Sequence, residues 1–182
     1  MRRSTFFAFS FLCLPSICVA EEHAAAAALE KLRALSGDWK GSFEWSGTRS
    51  DKGPMNASYY STGNGSAVVE NLTMDGVPVM TSVYHLDGAD LRMTHYCAAQ
   101  NQPRLKASRI DMARGIADFA LVDITNLRSP EAGHVVGLEL RFLGPDHITL
   151  AFRFEGGGKS SLERIDLKRV PAKAIAGSVS PQ

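Results

Sequence analysis

Between Trp39 and Val170 turn-forming groups recur every ten residues or so, and the runs they separate alternate apolar with polar residues. Thr62-Gly63-Asn64-Gly65, Asp75-Gly76, Asp87-Gly88, Arg114-Gly115, Gly144-Pro145-Asp146 and Gly156-Gly157-Gly158 are suited to the positive φ angles of tight hairpins. This punctuation predicts ten strands: Trp39–Ser46, Met55–Thr62, Ser66–Met74, Pro78–Leu86, Asp90–Cys97, Arg104–Asp111, Ile116–Ile124, Val135–Leu143, His147–Glu155 and Ser160–Val170. Sequential hairpins make chain neighbours sheet neighbours. Ten twisted strands with one apolar face close on themselves, because closure buries that face and leaves no open edge. The expected fold is all-β, a single antiparallel up-and-down β-barrel of about ten strands with a short N-terminal helix.

The period of two assigns faces. Ile148, Leu150, Phe152 and Phe154 share one side of the ninth strand, and Val136, Leu138, Leu140 and Phe142 one side of the eighth. These are the expected interior positions.

The first twenty residues differ in kind. Arg2 and Arg3 precede the apolar run Phe6–Val19, and Cys18-Val19-Ala20 ends in small residues, the layout of a secretory signal peptide cleaved before Glu21. The expected organisation is a signal peptide at 1–20, a helix at 21–36, a barrel at 37–170 and a disordered tail at 171–182. The helix follows from Leu29, Leu32 and Leu35 at helical spacing in an Ala-rich segment over Glu22–Leu35, with Gly37 as the stop. Cleavage removes Cys13 and Cys18 and leaves Cys97 as the one mature cysteine, so packing must stabilise the domain. No later segment is long and apolar enough to span a membrane, and the product is expected in the periplasm or secreted. The net charge is +1 and the basic residues are scattered, which argues against a nucleic-acid partner.

Chemistry-bearing residues concentrate between Met93 and Arg104. Leu91, Met93, His95 and Cys97 share a face, which turns His95 and Cys97 inward at a separation of about 6–7 Å along the backbone. Such a pair serves as nucleophile and base, as ligands to haem or a metal, or simply as a satisfied buried histidine beside a small core thiol. Asn101, Gln102 and Arg104 follow at the turn, where an arginine fork suits a carboxylate or phosphate. Tyr84 and His85 point to opposite faces, and the pattern does not decide which is inside. Glu70 is in phase with Val68, Leu72 and Met74, and Asp123 with Phe119 and Leu121, so either carboxylate is a candidate for the interior. Glu70 paired with His95 or Arg104 is the candidate couple. His134 and His147 fall at strand starts and are expected to be exposed.

Leu35-Ser36-Gly37-Asp38-Trp39-Lys40-Gly41, a helix followed by Gly-x-Trp-x-Gly opening the first strand, resembles the start of lipocalin-like (calycin) barrels. The resemblance implies that Trp39 closes the barrel floor against the helix. The strand count is similar to nitrobindin-type barrels, which bind haem, and the His95 to Arg104 stretch to uncharacterised bacterial secreted proteins of this superfamily. The haem-ligating histidine implied by that type lies near the chain end, where Ser160–Val170 has none, so haem binding would fall to His95.

The expected function is an exported protein that holds a small apolar or amphipathic ligand in a barrel cavity. The candidate contacts are Trp39, Glu70, Tyr84, His95, Tyr96, Cys97, Asn101 and Arg104. The alternatives are a haem-binding barrel using His95, an enzyme using His95 and Cys97, and a structural or interaction module with a filled barrel.

Overall fold

The computed structural model describes residues 15–171. One helix, α1 (Pro15–Arg33), precedes ten strands: β1 (Gly37–Gly47), β2 (Lys52–Thr62), β3 (Ala67–Met74), β4 (Val77–Asp87), β5 (Asp90–Tyr96), β6 (Gln102–Asp111), β7 (Ile116–Thr125), β8 (His134–Gly144), β9 (His147–Gly156) and β10 (Lys159–Arg169). Each strand pairs antiparallel with its chain neighbours, and β1 with β10 closes the barrel. All ten predicted strands are present. The helix begins earlier than predicted, at Pro15, inside the segment read as a leader. The rest of that segment, residues 1–14, and the tail from 172 lie outside the described residues.

Connectivity gives the barrel two unlike ends. At one end α1 is joined to β1, and the β2–β3, β4–β5, β6–β7 and β8–β9 turns gather. At the other, the mouth, lie the β1–β2, β3–β4, β5–β6, β7–β8 and β9–β10 connections. Ala25, Ala28, Leu29 and Leu32, at the spacing of one helical face, are buried against the floor. Trp39 is fully buried there and donates its indole Nε1–H to the Leu35 carbonyl at 2.8 Å. The Arg169 guanidinium lies 4.4 Å from the Trp39 ring centroid and donates to the carbonyls of Ala34 and Ser36, both at 2.8 Å, and to Asp146 at 2.9 Å. The last strand thus fastens the turn that follows the helix to the first strand, giving partners to carbonyls of that turn.

Gly41 is fixed by close approach across the closing seam. A Cβ built on it would stand 1.7 Å from the Asp166 carbonyl oxygen, so no side chain is accommodated there.

Above the floor, the interior is packed with Met55, Tyr59, Leu72, Tyr84, Met93, Leu105, Phe119 and the predicted Ile148, Leu150 and Phe152. Two phase assignments change because β-bulges insert extra residues. A register shift between Val135 and Gly137 turns Val135 inward in place of the expected Val136. In β7 the register passes from Asp123 to Leu121 opposite consecutive β6 residues, which leaves Val122 as the extra residue and turns Asp123 out of phase with Phe119. Asp123 is therefore on the outside, ion-paired with Arg104.

Two seams are incomplete towards the mouth. β5 pairs with β6 only over Arg92–Thr94, and β7 with β8 only over Ile116–Ala120. The loops above these seams are tied together instead, Asn101 donating to the Gly133 carbonyl at 2.9 Å and the Asn126 amide to Gln100.

Candidate functional site

Cross-strand register builds a polar row through the apolar interior. Tyr59 on β2 stands opposite Glu70 on β3, Glu70 opposite Ser82 on β4, and Ser82 opposite His95 on β5. All four are buried. The Tyr59 hydroxyl donates to Glu70 Oε2 at 2.7 Å, and Tyr84, one inward position along from Ser82, donates to the same oxygen at 3.2 Å. Burial raises the Glu70 pKa, while the hydroxyls of Tyr59, Ser82 and Tyr84 pull it back. Burial also raises both tyrosines well above their ordinary value, so they remain hydrogen-bond donors. The Ser82 hydroxyl bonds His95 Nδ1 at 2.9 Å.

The row ends in an open valence. His95 is completely buried, its ring packed on Phe152 with centroids 4.9 Å apart, and its Nε2 has no hydrogen-bond partner. Burial lowers its pKa to about 4, so the ring is neutral. It contributes to the lining of a cavity of about 170 Å³ just inside the mouth, with Met80, Cys97, Val135, Phe152, Phe154, Trp45, Arg49 and Glu163.

Arg49, from the β1–β2 loop, lies over this cavity. Its guanidinium sits 4.6 Å from the Trp45 centroid and 4.2 Å from that of Phe154. Its backbone N–H bonds Ser161 Oγ at 3.2 Å, which ties the loop to β10. Glu163 faces inward between Trp45 on β1 and Phe152 on β9. Burial lifts its pKa from 4.5 to about 7, against the attraction of Arg49 and a hydrogen bond from Trp45. The half-buried Cys97 thiol is also raised, chiefly by burial, and stays protonated.

The eight residues expected at the site separate into distinct places. His95 and Cys97 line the cavity, as the alternation predicted. Glu70 and Tyr84 are inside but form the polar row behind His95, and Tyr84 rather than His85 takes the interior position. Glu70 meets neither member of its predicted couple directly. Ser82 stands between it and His95 in the row, and Arg104 is on the outer surface with Asp123. Trp39 is in the floor at the opposite end. Tyr96 points outward, 51% exposed, because it alternates with His95. Asn101 is buried but serves as the clip between loops.

Tyr59, Ser82, Arg49 and Glu163 were not among the expected site residues. Glu163 was accessible to alternation, since it shares phase with Ser161, Ile165 and Leu167 in β10. Tyr59 was likewise in phase with Met55 and Ala57. Arg49 lies in a loop and carries no periodic signal.

The floor, the ten-strand closure and the Trp39 contact define a lipocalin-like barrel. Among solved structures, Rv2717c from M. tuberculosis is similar with a TM-score of 0.53 at 16% identity, the match covering 79% of this chain and 98% of that one. A protein of unknown function from the DUF3598 family, from Nostoc punctiforme PCC 73102, matches with a TM-score of 0.53 at 12% identity, over 76% of this chain and 49% of its own. Both likenesses are of fold. No family model and no curated protein matches the sequence.

Proposed function

We propose that this protein is an exported binding protein whose mouth cavity holds a small apolar or amphipathic molecule. One observation carries the reading: His95 Nε2 is fully buried, unpartnered and set in the wall of a cavity that combines the rings of Trp45, Phe152 and Phe154 with the polar groups of Arg49 and Glu163. Buried polar atoms in folded proteins nearly always have partners, so an open nitrogen in a cavity wall is a position for a ligand atom. The leader-like residues 1–20 support export, and N-terminal sequencing of the periplasmic protein should begin at Glu21.

A haem does not fit the same cavity. A macrocycle needs at least the roughly 300–1,000 Å³ of ordinary ligand pockets, against about 170 Å³ here. Phe152 also occupies one face of the His95 ring. Nucleophilic catalysis is poorly served, because burial holds Cys97 as the thiol.

The test is a titration of the isotope-labelled protein with small amphipathic compounds, followed by amide shifts. Saturable shifts at Trp45, His95, Val135 and Phe152, with none at Leu35 and Trp39, are expected. Absence of saturable shifts, or shifts confined to the outer surface, would overturn the reading.

A further inference from the structure

The identity of the ligand follows one step further from the same cavity, and this step rests on the mouth being a binding site. Its volume of about 170 Å³ is close to the ~150 Å³ in which a protein interior takes up one benzene ring. Trp45, Phe152 and Phe154 present aromatic surface and Met80 a thioether, a lining that favours a flat ring over a flexible chain. Among the described lining residues, His95 Nε2 is the one buried side-chain polar atom left without a partner.

The chemistry of that atom depends on the row behind it. The single proton of the Ser82 hydroxyl can point towards Glu70, which makes His95 Nδ1 the donor and leaves Nε2 as an acceptor. Turned to His95 Nδ1, it leaves Nε2 carrying the hydrogen. A ligand hydroxyl both donates and accepts, and so satisfies Nε2 in either arrangement. An ether or a carbonyl satisfies only one. The Arg49 guanidinium is engaged over the Trp45 and Phe154 rings, and the buried Glu163 carboxyl beside it is held near neutrality.

We propose that the mouth cavity takes a single-ring aromatic alcohol of the phenol class, the ring among Trp45, Phe152 and Phe154 and the hydroxyl on His95 Nε2. Phenol and toluene, of matched shape, are the probes, titrated separately into the wild-type protein by calorimetry, with the His95 ring ¹⁵N resonances recorded alongside. Phenol is expected to bind about tenfold tighter or more, since toluene leaves a buried nitrogen unpaired, and to move the His95 ring resonances. His95→Leu should bind the two alike. If that variant does not fold, the wild-type comparison and the ring resonances still decide. Equal affinities in the wild type, or phenol binding with the His95 nitrogens unmoved, overturns the hydroxyl assignment while leaving a binding site at the mouth. Uptake of other amphipathic compounds at the mouth with neither probe bound also overturns it alone. If no compound binds, both readings fall.

Discussion

Replacing Glu163 with Gln removes a carboxyl that the mouth holds near neutrality, with its pKa lifted from 4.5 to about 7 by burial. An acid whose folded pKa lies above its unfolded value stabilises the fold fully below the unfolded value and loses that contribution as pH rises through the folded one. The gap corresponds to at most about 3 kcal/mol, and about 2 kcal/mol with partial solvent contact through the mouth. His95 acts in the opposite sense. Its folded pKa of about 4 lies below the ordinary 6.5, so its contribution is complete above that value and is lost as pH falls towards 4. Between about pH 4.5 and 6.5 the two nearly offset one another in the wild type. The Gln variant removes the Glu163 part and leaves the His95 slope together with that of Glu70, whose raised pKa acts in the same sense as Glu163 and is common to both proteins. Urea unfolding of both proteins from pH 4.5 to 8 measures this, with m-values checked for equality. Relative to Glu163→Gln, the wild type should lose about 2–3 kcal/mol across the range. Parallel stability curves would refute the placement of Glu163 as a buried, high-pKa group.

Gly41→Ala should cost about 3 kcal/mol or more, because its methyl group meets the Asp166 carbonyl inside the closing seam; a change under about 1 kcal/mol in the unfolding free energy from urea denaturation would show that the seam gives way. Cys97 should react with iodoacetamide far more slowly in the folded than in the unfolded protein. Arg49→Ala, which uncovers the cavity, should speed the folded-state reaction, and an unchanged rate would show that Arg49 does not restrict access.

The barrel was legible because its signals are local and repeated. Turn residues mark the hairpins, and the period of two marks the faces, so β9 with Ile148, Leu150 and Phe152 is found inside where alternation put them. Alternation failed where a bulge added a residue: Val122 turned Asp123 outward, and the shift at Val135 replaced Val136. The site was half legible for a related reason. His95 and Cys97 belong to one strand, and their shared face can be read from its own sequence. The partners of His95 lie on other strands and are chosen by register, which brings Tyr59, Glu70, Ser82 and His95 into one row from four separate segments. Hairpin registers are set by turn geometry to the single residue, finer than strand boundaries read from sequence. Arg104 was drawn to the site by its closeness in sequence to His95, but the paired part of β6 directs it outward to Asp123.

The seam between β1 and β10 has a consequence for when the molecule folds. Arg169 reaches carbonyls at Leu35 and Ser36, 134 and 133 positions earlier in the chain. Contacts of that range form late and slowly, because the intervening loop must be closed before they reward the chain. While the last strand is still inside the ribosome, the chain has nothing to complete its perimeter, and its apolar face stays uncovered. Export, as proposed above, requires an unfolded chain, and a barrel that cannot close before its last strand is made would meet that requirement.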